Sequence, residues 1–206
     1  VVHVMKGEAK PPFRLDHREV DTITAFLFHA GGHEDPKPLK ENERKCFQGS
    51  IVLGMGFTFD DTNPEATPIV EMHRLIEEDP RNAERIFPYL GGEELNTSPT
   101  QVHHRYVINF GQMSETEARH WPDLLEIVEK KVRGTRAKHS TARWFHFERL
   151  RPELYERTAG LSEVLCASLV SPHLSFAFLP AGTVYSHKLL VLAEESFGAF
   201  SVMQSR

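Results

Sequence analysis

The sequence lacks the features that mark membrane and secreted proteins. None of its apolar runs approaches the roughly 20 residues of a membrane-spanning helix, and its first residues show no signal-peptide pattern. Its two cysteines, Cys46 and Cys166, lie far apart in apolar surroundings. We therefore expect a cytoplasmic protein with no membrane partner, in which both cysteines are reduced core residues. The missing initiator Met and the apolar final segment lead us to expect one domain of a longer protein.

Motifs for nucleotide cofactors and for metal ions are missing as well. Gly54 and Gly56 begin a G-x-G-x-x-G pattern, but its third glycine position is occupied by Phe59, and there is no P-loop. The 12 histidines include no H-E-x-x-H pair, and the chain has no C-x-x-C. His103 and His104 are adjacent, so in a strand they would face opposite ways. We predict neither a metal site nor a cofactor in this segment.

One pattern resembles the signature of a magnesium-dependent nuclease. Pro122 and Asp123 are followed by Glu129 and Lys131, and such enzymes need two carboxylates and a lysine that converge on a phosphate. Residues six apart on a helix are about 600° around it, which is roughly 120° away from a shared face. We interpret the pattern as coincidental. A stand-alone nuclease or hydrolase that uses Asp123, Glu129 and Lys131 is the least favoured hypothesis.

What the sequence does have is a strongly basic segment from Lys130 to Arg151. It holds eight of the chain's 24 Lys and Arg residues and one acid, Glu148, while the whole chain carries a net charge of −5. Such a segment suits a surface that meets nucleic-acid phosphates. A solvated helix end followed by a loop is the simpler alternative. The aromatic run after Arg143 predicts a buried strand over residues 143–147, which would hold the basic loop against a core.

The apolar periodicity predicts a mixed α+β domain with seven or more short strands. Strands are predicted over residues 1–5, 21–29, 51–53, 57–59, 105–110, 143–147, 163–171, 174–179 and 186–192. Helices are predicted over 61–79, from the capping box of Ser114 and Glu117, and over 122–133, 152–157 and 194–204. The first helix should bury Ile69, Met72, His73 and Ile76. Residues 87–96 are expected to form a loop.

Six segments, taken in order, resemble the target recognition domain of MmeI-like, type IIL restriction–modification enzymes and related adenine-specific DNA methyltransferases. They are FQGSIVLGMGF (47–57), DPRNAERIFPYLGGEELN (79–96), RYVINF (105–110), SETEA (114–118), RWFHF (143–147) and RPELYE (151–156). The resemblance covers about residues 47–206. It implies an α+β fold of largely antiparallel short strands with packed helices, similar to the recognition domain of type I specificity subunits.

The resemblance also implies a parent protein with a known activity. That parent would be a large S-adenosylmethionine-dependent DNA N6-adenine methyltransferase, often fused to an endonuclease. The catalytic N-P-P-[YF] motif of the family is missing here, because Asn63 and Pro64 are followed by Glu65. We therefore expect residues 1–206 to be a single, non-catalytic DNA target recognition domain. S-adenosylmethionine would bind to the methyltransferase domain of the same parent chain.

The family carries base-reading side chains in two places. The first is the loop before the RWF-like strand, which makes Ser140, Thr141 and Arg143 the candidates here. The second is the turn after the strand predicted over 163–171, where the matching positions are His173 and Ser175. Neither of these two matches the acid and arginine that family members often carry in that turn. All five side chains can form hydrogen bonds with base edges in the major groove.

Five further cations suit contacts with phosphates, which fix the register of a protein on DNA without specifying sequence. They are Lys130, Lys131, Arg133, Arg136 and Lys138. A free-standing DNA-binding domain is usually basic, whereas this chain is acidic. We therefore expect other domains of the parent to supply much of the phosphate contact. The expected partners are double-stranded DNA and the methyltransferase domain. The alternative is a spacer or protein-interaction module of the same parent, without base readout.

Overall fold

The computed structural model describes residues 7, 10–23, 39–136, 140 and 142–205. The chain forms two compact units, residues 1–43 and 44–206. In the first unit, β1 (Phe13–Leu15) and β2 (Arg18–Val20) form an antiparallel hairpin. Its two-residue turn places Asp16 and His17 at positive φ, as such turns require. The strand predicted over 1–5 lies outside the described residues, as do residues 24–29 of the second.

Two four-stranded sheets form the framework of residues 44–206. The first sheet has the order β4 (Thr58–Phe59), β6 (Arg105–Ile108), β5 (Ile86–Leu90), β9 (Val184–Tyr185). The second has the order β3 (Cys46–Gln48), β10 (Leu189–Leu192), β7 (Glu163–Ser168), β8 (Phe176–Pro180). Every pairing is antiparallel except that of β5 with β9. The predicted mixed α+β class is confirmed.

The α-helices of this unit connect and cover the sheets. They are α1 (Ile69–Glu78), α2 (Gly92–Thr97), α3 (Glu115–Ala118), α4 (Pro122–Val128), α5 (Pro152–Thr158) and α6 (Phe197–Gln204). Shorter 3-10 turns span Lys40–Asn42 and Pro80–Arg85. The capping box of Ser114 and Glu117 begins α3, and Pro122 occupies the first turn of α4, both as predicted. Within the described residues, no helix is long and apolar enough to cross a membrane.

Each sheet has its own core. The core of the first sheet packs α1 and α4 against β4 and β6, and its largest fully buried side chains include Phe57, Phe59, Phe110, Phe145 and Phe147. The second sheet is covered on both faces. The side chain of Leu154 in α5 packs against Val164 and Val191 on one face, and Phe200 in α6 packs near Leu165 on the other. This explains why β7 is buried along most of its length.

One predicted loop and one predicted strand are wrong. Residues 87–96 form β5 and α2 rather than a loop, and the glycine pair at Gly91 and Gly92 marks their junction. Residues 143–147 form a turn rather than a strand, since the His146 N–H donates to the Arg143 carbonyl over 2.9 Å. The aromatic side chains of this turn are nevertheless buried. The aromatic run therefore predicted the burial of Phe145 and Phe147 correctly, but it did not predict the backbone conformation.

Three further predictions are also wrong. The buried strand predicted over 51–53 is not formed: Ile51 makes only an isolated bridge with Arg149, and Leu53 is exposed at a positive φ of 34°. Leu75 rather than His73 completes the buried face of α1 with Met72. His73 and Leu75 both lie within one turn of Met72, and the apolar Leu75 is the one that packs against the core. Cys166 is buried and free as expected, whereas Cys46 is free but exposed.

The two sheets are joined where Gly49 and Ser50 cross β9. The Ser50 N–H donates to the Tyr185 carbonyl over 2.7 Å, and Ser50 pairs with Ser186 in a parallel bridge. A Cβ atom at Gly49 would lie 2.3 Å from the Ser186 carbonyl oxygen and 2.4 Å from that of Tyr185. Both clashes involve backbone atoms, which cannot turn away as a flexible side chain could.

We predict that Gly49→Ala will lower the free energy of unfolding by at least about 2 kcal/mol, because the added methyl group forces the two backbones apart. Gly160→Ala is the matched control, since no atom lies within 4 Å of a Cβ at that position. It should change stability by less than about 1 kcal/mol. Urea denaturation followed by circular dichroism measures both values. Equal stabilities of the two variants would contradict the proposed close crossing.

Candidate nucleic-acid interface

The basic segment begins at the end of α4. This helix buries Leu124, Leu125 and Val128, and the chain then continues as a π-helical turn over Glu129–Arg133, with Val132 still buried. A π turn is wider than an α turn and is often found at functional sites. It carries three of the predicted phosphate-binding cations, Lys130, Lys131 and Arg133, along the outside of a helix whose inner face is anchored.

These three cations differ in their availability to a ligand. Lys130 forms an ion pair with Glu126, and Arg133 forms one with Glu129, all on exposed side chains. Exposed pairs of this kind are weak and exchange readily with other partners. The Arg133 guanidinium also lies over the Trp144 ring, 5.5 Å from its centroid. The Lys131 ammonium donates to the Glu65 carbonyl over 2.9 Å, and burial lowers its pKa.

Arg136 differs from the other cations because its side chain is only 9% exposed. Its guanidinium donates to the Ser140 hydroxyl over 3.0 Å, to the His146 carbonyl over 2.8 Å and to the Glu148 carboxylate over 3.2 Å. These bonds reach across the loop that contains the predicted base-reading residues. In this structure, Arg136 holds the loop together and does not point toward solvent. Its predicted phosphate contact stays a prediction that would require these bonds to break.

The first base-reading loop is therefore partly occupied by internal contacts. The Ser140 hydroxyl accepts from Arg136, donates to Glu148 and also accepts from the Ala142 N–H over 3.3 Å. Arg143 is exposed, and its guanidinium forms no hydrogen bond with any described residue. Thr141 and Lys138 lie outside the described residues. Of the candidates that the structure describes in this loop, Arg143 has the donors best placed for a ligand.

The second predicted base-reading turn connects β7 to β8 over residues 169–175. His173 and Ser175 are both exposed there. The base of the turn is fixed, because the Asn96 amide donates to the Ser168 hydroxyl over 3.2 Å and to the Val170 carbonyl over 3.1 Å. A fixed base and an exposed tip are what a reading loop needs to present side chains in one register.

A groove of about 390 Å³ lies beside these two regions, although none of the described base-contact or phosphate-contact candidates lines it. One wall is the loop over residues 51–55, which continues into Gly56, where a Cβ atom would lie 2.4 Å from a methyl carbon of Val132. The loop therefore packs directly against the basic helix end. Another wall includes Lys188, whose carbonyl accepts from the Leu169 N–H over 2.8 Å at the start of the second turn. Each of the two predicted regions thus adjoins a segment that lines the groove.

Arg105, which lines the groove, forms an ion pair with the buried Glu94 that no sequence pattern predicted. Arg105 donates from Nε and Nη2 to the two carboxylate oxygens of Glu94 over 2.8 and 3.0 Å, and its guanidinium lies over the Tyr89 ring. Burial acts to raise the pKa of Glu94, but hydrogen bonds from Arg105 and the Gly91 N–H outweigh it and hold the pKa below its usual value. No motif signalled this pair, because its members belong to α2 and β6.

The residues of the nuclease-like pattern do not form a shared site. Glu129 is paired with Arg133, and Lys131 donates to the Glu65 carbonyl. The described residues also contain no group of three His, Cys, Asp or Glu side chains that could hold a metal ion. A converging carboxylate–lysine arrangement, which magnesium-dependent cleavage requires, is not formed by Asp123, Glu129 and Lys131.

We predict that Arg105→Met will lower the free energy of unfolding at pH 7 by about 3 kcal/mol, because the buried Glu94 carboxylate loses its bidentate partner and keeps only the Gly91 N–H and the His104 ring, which lies 3.4 Å away. The deficit should shrink when the pH falls below about 4.3, the usual pKa of a glutamate, since a protonated Glu94 no longer needs its partner. Arg119→Met, which breaks an exposed pair with Glu115, is the control and should cost less than about 1 kcal/mol. A deficit for Arg105→Met that does not depend on pH would refute this account.

Comparisons with known proteins give a likeness at the level of fold. No family model matches the chain, and no curated protein matches it. Among solved structures, one of a Type IIL restriction–modification enzyme, MmeI, in complex with DNA is similar, with a TM-score of 0.56 and 13% sequence identity. The match covers 91% of this chain and 24% of that one, so this chain spans about a quarter of the length of that enzyme. The chain therefore shares the fold of one part of a restriction–modification enzyme.

Proposed function

We propose that this chain is the DNA target recognition domain of a restriction–modification protein. The observation that carries the proposal is the shared fold with an enzyme whose structure was solved in complex with DNA. The arrangement of the described residues supports it, because Arg143 and the tip of the turn over 169–175 are exposed, and the basic helix end carries exposed cations. A spacer module would not need exposed hydrogen-bonding side chains on two separate loops.

The proposal assigns different roles to the predicted site residues. Arg143, His173 and Ser175 read base edges, because their side chains are exposed, and an arginine can form a bidentate contact with guanine in the major groove. Lys130 and Arg133 contact phosphates after giving up their weak surface pairs. Arg136 and Ser140 position the first loop. Thr141 and Lys138 keep their predicted roles as base and phosphate contacts.

The parent protein in this proposal is a cytoplasmic, S-adenosylmethionine-dependent DNA N6-adenine methyltransferase. This chain supplies recognition, while another domain of the same protein binds the cofactor and transfers the methyl group. The chain's net charge of −5 would repel DNA at long range. The other domains must then provide much of the phosphate contact, and the isolated 206-residue chain should bind DNA weakly.

The first experiment separates positioning from phosphate contact by the salt dependence of DNA binding. For the full-length parent, Lys130→Met should lower the slope of log affinity against log salt by about one and leave sequence discrimination unchanged. Arg136→Met should leave the slope unchanged but reduce the preference for the methylated motif over a scrambled one by at least about ten-fold. If Arg136→Met instead lowers the slope and keeps the preference, Arg136 contacts a phosphate.

The second experiment tests base readout by the turn between β7 and β8. We expect that exchanging His173 and Ser175 for other polar residues will change the methylated motif at one base pair, as determined by single-molecule sequencing of DNA from cells that express the parent. Leu174→Ala, at an exposed position between them, should leave the motif unchanged. Reduced methylation of an unaltered motif would favour the spacer alternative.

A further inference from the structure

A second cavity, which shares no lining residue with the groove, lies beside the first sheet. It has a volume of about 640 Å³, which is within the range of sites for small organic ligands. The strands β5 and β9 run parallel, and their early residues, Phe87 and Val184, line this cavity. Their later residues, Tyr89 and Ser186, lie at the groove. The cavity is therefore separate from the proposed DNA-reading surface.

The walls of this cavity are mostly apolar, with a few polar side chains. Leu150, Pro152 and Leu161 contribute hydrophobic surface, and Tyr155 adds an aromatic ring whose hydroxyl is already engaged with Ser50 over 2.8 Å. Apolar walls with a small number of polar groups are the usual composition of a binding pocket for an organic molecule. The hydrophobic part of a ligand would therefore find a suitable surface here.

Arg85 supplies the cavity with a cation that has no counterion among the described residues. Its guanidinium forms no ion pair or hydrogen bond with any of them, and its Nε is buried without a partner. It lies instead over the Trp121 ring, 4.8 Å from the centroid. An anionic group in the cavity would supply the counterion that this guanidinium lacks among the described residues.

The charge of the cavity favours a single negative charge on that ligand. Glu156 also lines the cavity, so Arg85 and Glu156 together contribute no net charge. The charge of a monoanion would be balanced by Arg85. A doubly charged phosphate would keep one unbalanced negative charge, which Glu156 would repel. The side-chain oxygen of Asn109 already accepts from the Gly111 N–H over 2.9 Å, which leaves its amide nitrogen as a further donor for a carboxylate.

We propose that this cavity binds a small organic monocarboxylate with an aromatic or aliphatic body, held by Arg85 and the apolar walls. The site is independent of DNA recognition. Its position beside Trp121 also gives it a spectroscopic reporter, since a carboxylate that draws the guanidinium away from the ring changes the fluorescence of that tryptophan.

The test uses isothermal titration calorimetry of the 206-residue chain with 4-phenylbutyrate and with its neutral amide, 4-phenylbutyramide. The carboxylate should bind at least about ten-fold more tightly, because only it forms charge-assisted hydrogen bonds with a guanidinium. Arg85→Met should abolish the difference between the two compounds. Arg81→Met is the matched control, since Arg81 is exposed and paired with Asp79 outside the cavity, and it should keep the difference.

Two variants at exposed positions keep the test decisive if Arg85→Met does not fold. Glu156→Gln should tighten the binding of 4-phenylbutyrate about three-fold or more by removing a like charge, with no effect on the amide. Ala159→Trp should block the binding of both compounds by filling the cavity. Equal affinity for the two compounds, binding that survives Ala159→Trp, or no heat from either compound would overturn the proposal.

Discussion

The close crossing of Gly49 and Ser50 over β9 is the constraint on which the rest of the larger unit depends. The Ser50 N–H donates to Tyr185, its carbonyl accepts from the His187 N–H over 2.8 Å, and its hydroxyl donates to Leu150. One residue thus joins a strand of one sheet to a strand of the other and to the segment that leads into α5. Only glycine fits at position 49, because the crossing leaves no room for a side chain.

This crossing also separates two ends of the domain with different chemistry. Toward the C-terminal ends of β5 and β9 lies a groove whose wall includes Arg105, which is held in place by the buried Glu94. Toward their N-terminal ends, a larger cavity contains Arg85. A rigid wall suits the presentation of side chains to a long, regular partner such as DNA, whereas a cavity of this volume suits a small ligand.

The cations of the basic segment show that charge and availability are separate properties. Lys130 and Arg133 are exposed in weak pairs, and they can exchange those partners for phosphates at little cost. Arg136 has its guanidinium committed to the loop, and removing it would leave the partly buried His146 carbonyl without this donor. A count of basic residues treats these cations as equal. Only the exposed cations can contribute to the salt dependence of DNA binding in the proposed function.

The sequence alone determined the elements whose signals are local. The capping box at Ser114, the proline start of α4 and the apolar periodicity of β6 and β7 predicted these elements, because each signal involves neighbouring residues. Apolar composition likewise predicted that Phe145 and Phe147 are buried. The mixed α+β class follows from the same local patterns, and the structure confirms it.

Only the tertiary structure decided which residues meet. The pairing of Glu94 with Arg105, the network of Arg136 with Glu148 and the cavity around Arg85 all join segments that are distant in the chain or that a loop must bring together. No sequence spacing encodes these distances, because they depend on strand order and on the crossing at Gly49. The turn at 143–147 was likewise decided by the tertiary structure. Phe145 and Phe147 are buried in the core, although the backbone of this turn has no strand partner.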